Sequence, residues 1–452
     1  MTATAPAAPN LVARRGRGAG IQAGFGSWRR FAGPRFRPFH AIGFSQGTVA
    51  GLAGGAITTP LMLALGAPPA LVLVVGVLPG IGSLTQLAMP GLLRRTDGNL
   101  RGLTILVSVV GDTRGFWFAG IVALAATGVL SRADALVAVV AASVVAAAIG
   151  GLSGSNLLAW YHAVLPESER RFVSPRTGAV GAIAGAALLT PTALLLHDPN
   201  AGLAPFVIPF LIAGLASLVG IVGLLHLPRP GRVRVPDQGR IRANAPAGLD
   251  RFIRVSSVGA VGFGIGPPLS IYAMVVLGMS PGFTVALAAI GTLASLIAST
   301  VVSSMLDRGS SSTILRHAHA IRAVAMTLGL LSFPGNPFAA ELLMGAAILG
   351  ACGDAASGLA SSERILRLSV GPAAIAHQAR YVATTSTASA AAQLTASGIL
   401  AGGAGIGYPV YGLLFVSSGI VRVVTAYRLG RTGREHVMPS LPVAAASPAL
   451  GN

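Results

Sequence analysis

The chain has 452 residues, 53% hydrophobic and only 10% charged, with a mean hydropathy of +0.73, whereas soluble chains are about a quarter charged. These values exclude an ordinary soluble globule and a disordered chain, and the single cysteine, Cys352, excludes a disulfide framework. The net charge is +19 and every basic residue is arginine, so the position of each charge says more here than the sum, and a nucleic-acid partner is not expected.

Residues 1–41 read as a disordered basic tail, with Arg14, Arg15, Arg17, Arg29, Arg30, Arg35 and Arg37 among Ala, Gly and Pro and no acid. Such a tail can lie on anionic lipid, and no apolar segment of a cleavable signal precedes the first span. Long apolar runs then recur, and about 20 such residues suffice for a helix to cross a bilayer. They predict twelve spans, at 42–66, 69–89, 103–130, 134–160, 178–196, 202–226, 252–278, 282–305, 320–334, 338–360, 373–400 and 405–427. The ninth is short and the eleventh is polar. A segment rich in Arg, Pro and Gly divides six spans from six, giving bundles over 42–227 and 251–428, a linker over 228–250 and a tail over 429–452. With a cytoplasmic N-terminus, every arginine except Arg114 and Arg132 falls in a cytoplasmic segment or its adjoining helix ends. This bias places both termini in the cytoplasm and requires an even span count.

The two halves carry a repeat. At an offset of 208 residues Phe44 meets Phe252, Gly51 meets Gly259, Gly54 meets Gly262, Ile57 meets Ile265, Pro60 meets Pro268 and Leu61 meets Leu269. Helix-breaking residues free backbone groups that lipid cannot satisfy, so breaks are tolerated where protein or a wet cavity re-satisfies them. Both first helices are therefore expected to kink at the same depth beside a central cavity.

The loop Gly91-Leu-Leu-Arg-Arg-Thr-Asp-Gly-Asn-Leu-Arg101 follows the second span, and Met305-Leu-Asp307-Arg308-Gly309, with Arg316 beyond it, follows the eighth. These loops resemble the signature of the major facilitator superfamily, a Gly-x-Leu-x-Asp-Arg-x-Gly-Arg-Arg stretch after the second helix that is often echoed after the eighth. Ser303 replaces the leading glycine of the second copy; in the first, Arg95 stands where the aspartate belongs and Asp97 is displaced by two. A further segment, from Trp160 through Leu165-Pro166-Glu167, Arg170-Arg171-Phe172 and Arg176, is similar to the loop between the fourth and fifth helices of many bacterial members. The resemblance covers residues 42–428. It implies an all-α integral membrane fold, with twelve helices in two pseudo-symmetric six-helix bundles that rock about a midplane site.

Ionisable residues inside spans are costly, and each is a functional candidate. Asp354, in the tenth span, is the first, because the resemblance implies that the first, fourth, seventh and tenth helices line the cavity; it would bind substrate or couple a proton. Asp112 and Arg114 lie in the third span, two residues apart, where a regular helix does not let them face each other; the resemblance puts that helix on the scaffold, which favours a structural role. Polar cavity candidates are Thr59, Asn156, Ser270 and Tyr272. By resemblance Asp307, Arg308 and Arg95 form a gating loop. No His pair has ligand spacing inside the membrane, so neither a metal nor another cofactor is expected, and a chain without lysine lacks the phosphate-binding Gly-x-x-x-x-Gly-Lys loop of ATP-driven pumps.

The resulting expectation is a monomeric, multi-pass secondary active transporter of the cytoplasmic (inner) membrane, not an enzyme. It would move a small molecule by alternating access, with proton coupling open. A cavity with one acid and few bases disfavours a multiply anionic substrate and favours a neutral or cationic one. The alternative is a transport-inactive membrane sensor or assembly scaffold, which the eroded first loop favours.

Overall fold

The computed structural model describes residues 31–198, 202–230, 247–266, 268–306, 310–368, 374–403 and 407–432. The first 30 residues, most of the central linker, the final tail, and Asp307 and Arg308 lie outside the described residues.

The first half contains α1 (Arg37–Leu52), α2 (Gly55–Ala64), α3 (Pro69–Gly82), the short α4 (Met89–Arg95), α5 (Leu100–Asp112), α6 (Arg114–Ala126), α7 (Arg132–Val164), α8 (Glu167–Leu195) and α9 (Val207–His226). The second contains α10 (Ala247–Ile265), α11 (Leu269–Val275), α12 (Pro281–Leu306), α13 (Ser311–Leu331), α14 (Ala339–Leu368), α15 (Ala374–Gly402) and α16 (Tyr408–Thr432). The first, third and seventh spans are each split in two, as α1/α2, α5/α6 and α10/α11.

Among the described residues ten spans are long and apolar enough to cross a membrane. The ninth and eleventh spans, α13 and α15, are not among them, although at 21 and 29 residues they match the others in length. Their polarity has a local reason. Helix α13 carries Arg316, His317, His319 and Arg322 and is packed between α14 and α16; His319 and Arg322 are buried there, while Arg316 and His317 are exposed in the first turns of the helix. Helix α15 is rich in Ser and Thr, whose hydroxyls return to the preceding turn, as Thr384 donates to the Arg380 carbonyl (2.8 Å) and Thr387 to that of Ala383 (2.8 Å).

Both first spans break, but not at one depth. In the first half the break falls at Ala53–Gly54, where Gly54 is extended, and Pro60 is carried inside α2. In the second, α10 ends at Ile265 and α11 begins after Pro268, about five residues deeper in the shared register. The Pro267-Pro268 dipeptide explains the shift: it removes two consecutive N–H donors, and the residue before a proline avoids helical angles. The expected equal depth is therefore corrected, while the breaks themselves stand.

The packing repeats between halves. In the first, α5 packs on α7, α6 on α9, α3 on α7, and α1 on α8 and α9; in the second, α13 packs on α14 and α16, α12 on α14, and α10 on α15 and α16. Each contact in one list has its counterpart six spans away in the other. Across the halves α8 packs on α12 and α3 on α15, which again exchange under the same shift. Small residues allow the close approaches: a Cβ at Gly47 would overlap the backbone of Gly181, one at Gly82 that of Ala147 and one at Gly264 that of Ser389.

Contacts between helix ends fix which ends lie together. Arg35 pairs with Glu169 (2.9 Å), Trp160 Nε1 donates to the Pro228 carbonyl (2.9 Å) and Arg380 pairs with Asp250 (2.9 Å), so these ends share one face, the terminal face, with the start of α1. At the distal face the halves are pinned together: Gly282 N donates to the Leu196 carbonyl (2.9 Å) and Ser397 Oγ to that of Ala70 (2.8 Å).

The apolar cores follow the same division. One cluster unites both halves distally, including Leu52, Leu61, Leu196 and Phe210 with Tyr272, Val285, Ala396 and Phe415. Toward the terminal face it gives way to two separate clusters. One is built on Phe39, Leu100, Trp160 and Leu224 of the first half, the other on Phe252, Ile314, Ala360 and Leu429 of the second.

Candidate functional site

Where the cores separate, a cavity of about 300 Å³ opens, lined by Gly80 of α3 and by residues of α10, α13, α14, α15 and α16. That volume lies at the small end of the range for ligand pockets. Its walls are hydroxyl-rich, with Ser256, Ser357, Ser361, Thr385, Ser386 and Ser389, and its basic side chains are His319 and Arg322. Helix α10 (seventh span) and α14 (tenth span) contribute as the resemblance implies, but the described lining takes nothing from the first or fourth span. The cavity belongs almost entirely to the second half.

Arg322 lies 11 residues into α13, about 16 Å along it at 1.5 Å per residue. Its guanidinium pairs with the Asp354 carboxylate and stands over the Phe263 ring, 5.7 Å from its centroid. The pair is unequal: the Arg322 side chain is 9% exposed and that of Asp354 46%. Arg422, from α16, is buried as well, its Nε 3.3 Å from Ser418 Oγ, while Ser418 donates to the Gly262 carbonyl (2.5 Å). His319, Arg322 and Arg422 lie within electrostatic reach of one another. His319 Nδ1, Arg322 Nε and Arg422 Nη1 are all buried without a hydrogen-bond partner.

Three glycines make room for this cluster. A Cβ at Gly259 would meet the His319 ring, one at Gly262 the Arg422 stem, and one at Gly353 both the Arg322 stem and the Ala318 carbonyl. Gly259 and Gly262 are two of the residues aligned by the 208-residue repeat.

The cluster corrects the sequence reading of charge. Arg322 and Arg422 count there as flanking, cytoplasmic-end residues, yet both are buried within the bundle. One signal was available: Arg322 aligns with Arg114 at the same offset of 208, so each half places an arginine at one point of its third span. Gly111 and Gly214 stand opposite His319 and Arg422, which leaves the first half with Arg114 alone of the three basic groups.

The other candidates are dispersed. Asp112 ends α5 and Arg114 begins α6, with Thr113 as a break between them, and Arg114 Nε is buried without a partner. Asp112, which accepts a hydrogen bond from Ser108, lines a separate space of about 20 Å³ with Ser45 and Gln46, enough for one water. Asn156 is 1% exposed, with both amide atoms unpartnered. Tyr272 is fully buried in the distal core, where its hydroxyl donates to the Ser332 carbonyl (2.6 Å) and its ring packs against Tyr411 and Phe415. Ser270 and Thr59 are half-buried near the helix breaks, outside the cavity lining, and Arg95 is exposed at the end of α4. Among the described residues no cluster of three metal-ligating side chains occurs.

One hydrolase-like spacing, Gly43-Phe44-Ser45-Gln46-Gly47, occurs in α1. It lies within an unbroken helix, and Gly43 and Gly47 seat Thr177 and Gly181 of α8, so the pattern serves packing. The strained strand-to-helix turn that would expose such a serine is missing there.

Two pseudo-symmetric six-helix bundles, joined by a shared apolar core at one face and with separate cores at the other, define a multi-pass membrane protein of the major facilitator fold. Solved transporters share it across nearly their whole length. The E. coli xylose transporter XylE, in a partially occluded inward-open conformation, aligns at 13% identity over 87% of this chain and 96% of its own, with a TM-score of 0.65. A D-xylose-proton symporter aligns at 13% identity over 90% and 97% (TM-score 0.64), and the nucleoside transporter NupG at 14% over 88% and 99% (TM-score 0.59). No protein-family model and no curated protein matches the sequence.

Proposed function

We propose that this chain is a secondary active transporter that moves a small molecule across the cytoplasmic membrane by alternating access. The observation that carries the reading is the distribution of the cores, one shared distally and two separate ones around a cavity toward the terminal face. Residues 42–227 and 251–428 are the two moving units, and the hydrogen bonds of Gly282 and Ser397 belong to the distal gate. The arginine distribution supports a cytoplasmic terminal face, so this conformation faces inward. Similarity to transporters of sugars, nucleosides and peptides supports the same activity.

Asp354 is the group through which substrate or proton acts. It is the half-exposed member of a pair whose partner lines the cavity, and an acid that exchanges Arg322 for a proton or a ligand changes the field of the site. The test is counterflow in proteoliposomes with a chemically broad panel, for wild type and Asp354→Asn. Saturable flux in wild type that falls at least tenfold in the variant supports the reading. Absence of flux with every compound, from monodisperse protein, would leave the scaffold alternative standing.

A further inference from the structure

The sequence favours a neutral or cationic substrate, while the buried charges around the cavity argue for the opposite sign. The cavity is lined by Arg322 and His319 of α13 and Tyr381 of α15; outside the lining, Asp354 of α14 pairs with Arg322 and Arg422 of α16 lies within its electrostatic reach, and the lining residues of α10 and α3 include no ionisable group. With His319 neutral, two guanidiniums face one carboxylate, leaving one positive charge in excess. Burying unpaired charge is expensive, and here it is buried together with three unpartnered ring and guanidinium nitrogens. In a purely structural cluster those groups would be expected to be satisfied by the protein. Glycines at 259, 262 and 353 hold space for the basic side chains, and the facing walls are serine and threonine hydroxyls.

We propose that the cavity binds a small organic monoanion, a hydroxylated carboxylate, whose charge is met by Arg322 and Arg422 and whose hydroxyls meet Ser357, Ser361, Thr385 and Ser389. The inference names the substrate class of the transporter reading and rests on it. Arg322 contacts the carboxylate directly, since it lines the cavity; Arg422, behind Gly262, supplies the excess charge. Asp354 competes with the ligand for Arg322, which fixes the sign of its effect.

The experiment is thermal unfolding and titration of the detergent-purified full chain with lactate and gluconate, their neutral amides, and ethanolamine. Wild type should be stabilised by the carboxylates and not by the amides or the amine. Arg322→Gln, which truncates a direct charge-assisted contact, should weaken binding by about 30-fold or more. Arg422→Gln should weaken it less and Arg422→Lys should restore it, while Asp354→Asn should strengthen it. Equal response to carboxylate and amide, a response to the amine alone, or no response to either carboxylate in wild type overturns the inference without depending on any variant's folding. The two readings fail separately: carboxylate binding without flux sinks transport and keeps the anion site, and flux of a neutral compound alone does the reverse.

Discussion

Arg322 and Asp354 share one ion pair but not one environment, and the difference orders the consequences of breaking it. Asp354→Asn strands a guanidinium that is 9% exposed, whereas Arg322→Gln leaves a carboxylate that is 46% exposed. Removing one member of a fully buried pair costs about 3–5 kcal/mol, and exposure of the surviving member reduces this. Thermal unfolding should therefore show the larger loss for Asp354→Asn, and the opposite order would mean that the pair is solvated from the arginine side. Gly353→Ala should destabilise by about 1–3 kcal/mol, because the new Cβ meets both the Arg322 stem and the Ala318 backbone, which cannot swing away. Asp354 was legible in the sequence because an acid inside an apolar run is conspicuous on its own. Arg322 and Arg422 were not, since an arginine within a few turns of a span end reads as a flank, and what buries each is a glycine on another helix, Gly353 on α14 and Gly262 on α10. The 208-residue register, extended beyond the first span, sets Arg322 opposite Arg114.

Helices α13 and α15 show what apolarity can and cannot say about an element. A hydropathy scan asks whether a segment would be at home in lipid, but these two lie against α14 and α16, and against α10 and α3, so that protein covers part of their surface. Their existence was readable from length and their weakness from polarity; the reason for the weakness lies in the packing. The breaks divide similarly: repeated glycine and proline positions announced them, but the doubled proline at 267–268 set the depth of one and Gly54 that of the other. The distal clamp between α8 and α12 gives an element-scale prediction. A Cβ at Gly282 would overlap the backbone of Ala193 and His197, so Gly282→Val should wedge the distal face open. In a Cys352→Ser background, a cysteine at Ala70 should react faster with a membrane-impermeant maleimide in that variant than without it. An unchanged rate would show that the clamp does not hold the gate.

At the scale of the molecule, the principal helix packing maps onto itself when every span is advanced by six, including the two largest contacts between the halves, α8 with α12 and α3 with α15. The fold was largely legible because the repeat, span parity and arginine bias each constrain the whole chain and agree. The site was less so, because it is confined to one half and departs from the symmetry that made the fold readable. Orientation is tested with a fluorescent protein fused to either end, which should fluoresce from both positions, as it does only where it folds in the cytoplasm; a dark fusion at one end would break the even span count. The division of the apolar cores carries a thermal consequence. Under the proposed alternating access, exposing the cavity on the other side hydrates the shared distal cluster, so that step should carry a positive heat-capacity change. The attraction holding those surfaces together weakens on cooling, and the conformational equilibrium should therefore curve with temperature, with chilled protein showing its distal face to solvent more often than its behaviour when warm would extrapolate.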